Sequence, residues 1–248
     1  MSDSQPTEYK CRTQEDTDPS WGPAPVSNLE GTTGENAPDK PDSLVIGYGS
    51  IIPRWDVTPS DGRKLQYLVK DDTFPDDTKA KFAAKEFQAA ADTWAELETG
   101  LTFSQTTDQN SANFNLVYKV NSRSERGVLA QAFFPHEIDQ DVIVYSYAFE
   151  GQNKSILKEI FLHEIGHIFG LRHEFAIEGD SDGNRPEGEG AKIFMEKNEY
   201  SVMSYKFPPR IQDSDRTQTV AFYKLPLGYM LDGSPVTDFQ PKIRSKNR

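Results

Sequence analysis

Apolar positions recur along this chain with two different periods, and the alternation between them predicts its elements. Residues 64–70 (Lys-Leu-Gln-Tyr-Leu-Val-Lys) read as a strand. Over 76–99, Ala80, Ala83, Phe87, Ala90, Trp94 and Leu97 recur every three or four residues, the spacing of one helical face, and Gly100 supplies the stop. Strand-like runs follow at 101–105, at 113–120, where Phe114, Leu116, Tyr118 and Val120 alternate, at 128–134 and at 142–149. An apolar helix over 155–169 comes next, with Asn153 or Ser155 as its cap and Gly170 as its left-handed end. Residues 213–223 close the series as an amphipathic helix capped by an aspartate or Ser214. One helix lies between the first two strands, so the pattern predicts an α+β (mixed α/β) fold with a mostly parallel or mixed sheet and helices on one side.

Composition changes this picture at the N-terminus. Residues 1–42 are rich in Asp, Glu, Ser, Thr and Gly, with Pro19, Pro23, Pro25, Pro38 and Pro41 spaced through them; such a stretch buries too little surface to offset its ordering entropy. It is expected to form an extended arm in the position of a pro-segment, ahead of one domain over 43–248. No internal repeat is visible. A net charge of −12 argues against a phosphate-binding surface, so nucleic acid is not expected as a partner. No apolar run reaches the roughly 18 residues of a membrane span, so no membrane partner is expected, and a monomer is. The opening Met-Ser-Asp-Ser-Gln-Pro-Thr-Glu has neither a basic nor an apolar region of a signal peptide. Cytoplasmic residence, non-classical secretion and a chain lacking its leader stay open. Cys11 is the single cysteine, which rules out an intrachain disulfide and a thiolate cluster. A metal therefore has to be bound through nitrogen and oxygen.

The candidate chemistry sits at His163-Glu164-Ile165-Gly166-His167-Ile168-Phe169-Gly170-Leu171-Arg172-His173. On a helix, His163 and His167 lie one above the other and can reach a single ion. Glu164 adjoins a ligand, which puts its carboxylate beside the ion without making it a ligand. A third ligand at His173 has to approach from another direction, and Gly170 permits the turn without a Cβ clash. Three nitrogens leave a fourth position for water, as in catalytic zinc rather than closed structural zinc. Glu164 is then the general base and acid for that water. Three of the chain's four histidines fall in this segment.

At these residues the chain resembles the metzincin metallopeptidases, matching their HExxHxxGxxH motif at every fixed position. The resemblance implies a zinc-dependent endopeptidase that hydrolyses peptide bonds of extended protein or peptide substrates. It also implies a twisted five-stranded mixed sheet, two long helices above the cleft, and a smaller, mostly irregular C-terminal lobe with one helix. The upper lobe would run over about 43–170 and the lower over about 171–248. Thirty residues after His173, Ser201-Val202-Met203-Ser204-Tyr205 fits the metzincin methionine turn, with Met203 as the apolar base under the metal. Tyr205 matches the tyrosine that astacin-like and serralysin-like branches use as a further ligand or oxyanion donor. Leu129, Ala130, Gln131 and Ala132 fall where the substrate-binding edge strand belongs. Glu174 looks astacin-like, Gly166 and Ser204 serralysin-like, and the branch stays open among astacin-like, serralysin-like and matrixin-like.

Other signals are weaker. Matrixin-like members are silenced by a cysteine in an N-terminal segment, the role Cys11 would take, but Tyr-Lys-Cys-Arg-Thr does not match their switch peptide; a free or packed thiol is the plainer expectation. Glu178, Asp180, Asp182, Glu187 and Glu189 offer oxygen ligands for Ca2+ without the spacing of a known calcium loop, and read as a solvated surface loop. His136 reads as a surface or loop histidine, and the basic tail Lys242, Arg244, Lys246 and Arg248 as a frayed end. The competing function is a zinc-containing binding or inhibitory scaffold that has lost catalysis. The intact Glu164 favours the enzyme.

Overall fold

The computed structural model describes residues 10–11, 42–137, 139–179, 184–188, 190–196 and 198–244. Its strands are β1 (Lys10–Cys11), β2 (Asp42–Ile46), β3 (Ile52–Trp55), β4 (Arg63–Val69), β5 (Leu101–Thr106), β6 (Phe114–Lys119), β7 (Val128–Gln131), β8 (Val142–Tyr145), β9 (Lys192–Glu196), β10 (Met230–Leu231) and β11 (Ser234–Phe239). Its helices are α1 (Asp77–Ala95), α2 (Leu157–Ile168) and α3 (Asp213–Tyr223). The rest of the arm, along with Asp180, Asp182, Glu189, Lys246 and Arg248, lies outside the described residues.

Helix α1 starts where the Asp76 carboxylate accepts the Lys79 backbone N–H at 2.9 Å. It buries Ala80, Ala83, Phe87, Ala90 and Trp94, the stripe its periodicity predicts. It ends at Ala95, earlier than the pattern suggests, and positive φ angles at Glu98 (52°) and Gly100 (88°) turn the chain into β5. The main sheet runs β1-β7-β8-β6-β4-β5. Strands β4, β5, β6 and β8 are mutually parallel and β7 is antiparallel to β8, which makes the five-stranded mixed sheet expected. The sixth strand, β1, comes from the arm and adds parallel to β7, pairing Lys10 with Val128 and Cys11 with Ala130. Phe87 joins the layers: its ring lies 4.8 Å from Tyr67, 6.0 Å from Phe114 and 5.3 Å from Phe161 of α2. Trp94 ties α1 to α2 by donating its indole N–H to the Leu162 carbonyl at 2.9 Å.

Several boundaries differ from the sequence reading. The run 128–134 stops being a strand at Gln131, because Phe133 and Phe134 turn inward, onto Phe114 (5.3 Å) and His167 (5.4 Å). The run 142–149 becomes a 3-10 turn at Ser146–Phe149. Helix α2 has neither Asn153 nor Ser155 as cap; both lie in a 3-10 turn, Asn153–Ile156, and the helix follows Ile156. Helix α3 has the expected span, but its cap is Gln212, whose backbone N–H donates to the Asp215 carboxylate at 2.7 Å. Beyond residue 171 the described residues also carry three strands that hydropathy does not announce. Strand β9 pairs antiparallel with β2, and β10-β11-β3 form a small sheet locked by an Arg54–Asp238 ion pair at 2.6 Å. Arg244 is pinned rather than frayed, with its guanidinium 2.8 Å from Asp141 and its N–H on the Ala112 carbonyl. Among the described residues, no helix is long and apolar enough to cross a membrane.

Candidate metal centre

Helix α2 brings His163 and His167 to one face, and its C-terminal end is built to release the chain for the third histidine. Gly170, at φ +95°, donates its N–H to the His167 carbonyl at 2.8 Å, and Leu171 donates to the Gly166 carbonyl at 3.0 Å, a Schellman closure. A Cβ at Gly170 would also meet the Pro53 carbonyl oxygen at 2.3 Å, so both conformation and space demand glycine. The next carbonyls are covered by side chains: Trp55 donates to Ile168 at 2.8 Å and Tyr223 to Phe169 at 3.1 Å. With its helix end satisfied, the chain can turn and bring His173 back onto the site.

Each imidazole has its Nδ1 engaged by an oxygen. His163 donates to the Val202 carbonyl and His167 to the Leu171 carbonyl, both at 2.8 Å, and His173 meets the Glu187 carboxylate. A carbonyl oxygen only accepts, so the His163 and His167 protons sit on Nδ1 and their Nε2 atoms are lone pairs. Burial, reinforced by repulsion from His173, holds both groups well below the usual histidine range, which keeps them neutral and able to ligate. The Nε2 atoms of His163 and His173 lie 3.0 Å apart. Imidazole nitrogens converging at that spacing in a buried site suit a shared cation, so the residues present fit zinc.

Ligand atoms of Cys11, His163, His167 and His173 all lie within 4.8 Å of one another, and all four residues are buried. The Cys11 Sγ is 3.4 Å from His167 Nε2 and donates to Glu164 Oε2 at 3.4 Å. Glu164 itself has no solvent exposure. Tyr205 faces the same point, its ring 4.8 Å from that of His173 and its hydroxyl donating to the Cys11 main-chain carbonyl at 3.3 Å. Met203 is fully buried against α2: a Cβ on Gly166 would meet its Sδ at 2.3 Å. Leu129, Ala130 and Gln131 lie on β7 and Ala132 just past its end, on the sheet edge that carries β1.

Two residues that sequence reasoning left aside support the centre. Asp215 accepts from the Ser201 hydroxyl at 2.6 Å and the Val202 N–H at 2.9 Å, so the first turn of α3 clamps the 201–204 turn whose Val202 carbonyl holds His163. Its only sequence signal was a place in a helix first turn. Glu187, read as a surface or calcium-loop acid, instead contacts His173 and Arg172, while Glu178 is exposed. His136 is half-buried rather than superficial, its ring tilted against Tyr48 at 4.6 Å and its pKa lowered by burial, and is not part of the cluster.

A helix-borne histidine pair, a third histidine past a glycine turn and a mixed sheet with two helices together define a metzincin-type zinc metallopeptidase. The sequence profile of the matrixin family matches residues 54–178, which include the whole histidine motif, and the chain belongs to that family. It is a zinc endopeptidase acting on protein substrates, and the branch left open by the motif alone is the matrixin one. No curated protein matches the chain.

Proposed function

We propose that Glu164 is the general base and acid of this endopeptidase, that Tyr205 is its oxyanion donor, and that residues 43–248 form the catalytic domain. The observation supporting this most directly is the buried convergence of the histidine Nε2 atoms with the Glu164 carboxylate alongside. Zinc held by His163, His167 and His173 would supply Lewis acidity there, polarising the scissile carbonyl and acidifying the attacking water. Glu164 takes the water's proton on a carboxylate oxygen and returns it to the leaving amine nitrogen. The Tyr205 hydroxyl donates to the carbonyl oxygen as negative charge grows on it, a role supported by the bond it already gives to a main-chain carbonyl. Met203 forms the apolar floor beneath the site. Leu129, Ala130, Gln131 and Ala132 receive an extended substrate as an added strand, a reading supported by the strand pairing of Lys10–Cys11 on β7. Glu164→Gln is expected to abolish chelator-sensitive cleavage of an unfolded, casein-like substrate at unchanged zinc content; equal cleavage by both proteins would remove Glu164 from the chemistry, and no cleavage by the zinc-loaded wild type starting at residue 43 would favour the scaffold reading.

A specific contact favours a second element of function, latency. Residues 1–42 act as a pro-segment and Cys11 closes the site. Its buried thiol lies among the three histidines although its flanks do not match the matrixin switch peptide. Lys10–Cys11 of the arm also occupy the edge that substrate would need.

A further inference from the structure

The three ligand histidines are oriented by unequal means. His163 and His167 have their Nδ1–H groups fixed by backbone carbonyls, which no substitution removes. His173 lies past the helix on irregular chain, and its Nδ1 meets a side chain from a different loop, the Glu187 carboxylate. We propose that Glu187 is a positioning residue for the metal centre, orienting His173 and raising the donor strength of its Nε2 toward zinc. The inference rests on the metal-site reading above.

Glu187 is itself held in place. Its backbone N–H donates to the Ala176 carbonyl at 2.9 Å, and its second carboxylate oxygen is 3.5 Å from the Arg172 guanidinium. Arg172 is buried at 2% exposure, donates to the Glu187 and Gly47 carbonyls at 3.3 Å, and lies 5.7 Å over the Tyr48 ring. The carboxylate is thus fixed from behind and presents one oxygen to the imidazole. The His173 ring is also stacked on Phe175, at 4.8 Å and an interplanar angle of 10°. The arrangement commits the Nδ1 proton to the carboxylate and turns Nε2 toward the other two histidines. A carboxylate on the far nitrogen increases ligand basicity and fixes ring orientation, and loss of such a partner costs about 10- to 100-fold in metal affinity. Both Glu187 oxygens are engaged this way.

The test uses the full chain and three readouts: the zinc dissociation constant by competition with a chelator of known affinity, the melting temperature of the metal-free protein, and the His173 ring proton by NMR with 15N-labelled imidazole. Glu187→Ala is expected to weaken zinc binding about 10- to 100-fold. Glu187→Gln, which keeps an acceptor oxygen without the charge, should recover part of the loss. The zinc-loaded wild type should show a His173 Nδ1–H proton protected from solvent exchange. A role limited to tethering the loop predicts a lower metal-free melting temperature with zinc affinity unchanged, and that result overturns the inference. Should Glu187→Ala not fold, the wild-type spectrum decides, and absence of the protected proton overturns it. A wild type that takes up no zinc overturns the metal-site reading as well, whereas equal affinity in wild type and Glu187→Ala overturns this inference alone.

Discussion

Gly166 sits inside the zinc helix, where intrinsic propensity alone would favour alanine by about 1 kcal/mol. Its absent Cβ makes room for Met203, whose Sδ would lie 2.3 Å from that carbon and whose side chain is fully enclosed. Overpacking a closed core costs roughly 1–3 kcal/mol, so Gly166→Ala is expected to be destabilising despite the helix gain, read as a lower denaturant midpoint at unchanged slope. A stabilised variant would mean that Met203 has room to move. A second residue sets an acid limit. Burial pushes the Glu125 carboxyl up, but the Lys119 ammonium at 2.6 Å and the Ser122 N–H at 2.8 Å outweigh it and hold the pKa down at about 2. A depressed folded pKa stabilises above the unfolded value of 4.5, and that contribution is lost as pH falls from there through about 2. In the metal-free chain, Glu125→Gln should therefore flatten the pH dependence of stability below 4.5; an unchanged slope would assign it to other carboxylates. At this scale the ligands and Glu164 were legible because helix register converts their spacing into geometry. Glu187 and Asp215 were not, since loop closure brings them to the site and no local period encodes it.

Among elements, the arm strand β1 on β7 has the most direct functional consequence. If Cys11 and its strand hold the site closed, Cys11→Ser in the full chain should raise the basal cleavage rate, and a chain starting at residue 43 should be active without further processing. An unchanged rate in both would leave Cys11 as a packed thiol. Helices α1 and α2 and the main-sheet strands could be read from the sequence because their apolar periods are long and regular. The small strands could not. Strand β3 contains Pro53 and β11 contains Pro235, residues that argue against a strand. The structure accommodates both: β3 is at a sheet edge, and Pro235 precedes the stretch of β11 in register with β3, which begins at Val236. In the run 128–134, aromatic residues imitated strand propensity while serving the core.

At the scale of the whole molecule, pairing of β2 with β9 and of β3 with β11 joins the beginning of the 43–248 stretch to its end, around a centre whose three imidazoles are buried. Zinc binding is therefore coupled to the stability of the folded chain. Chelation is expected to lower the melting temperature, and readdition of zinc to restore it. A melting temperature indifferent to chelator would show that the converging imidazoles are tolerated without an ion.

The two indoles of that stretch, Trp55 and Trp94, both give their N–H groups to carbonyls of α2, at Ile168 and Leu162. The chain's third tryptophan, Trp21, belongs to the arm. In a chain beginning at residue 43, intrinsic fluorescence is consequently a readout of the metal-bearing helix, and any loosening of its backbone registers as a red-shifted emission without an added dye.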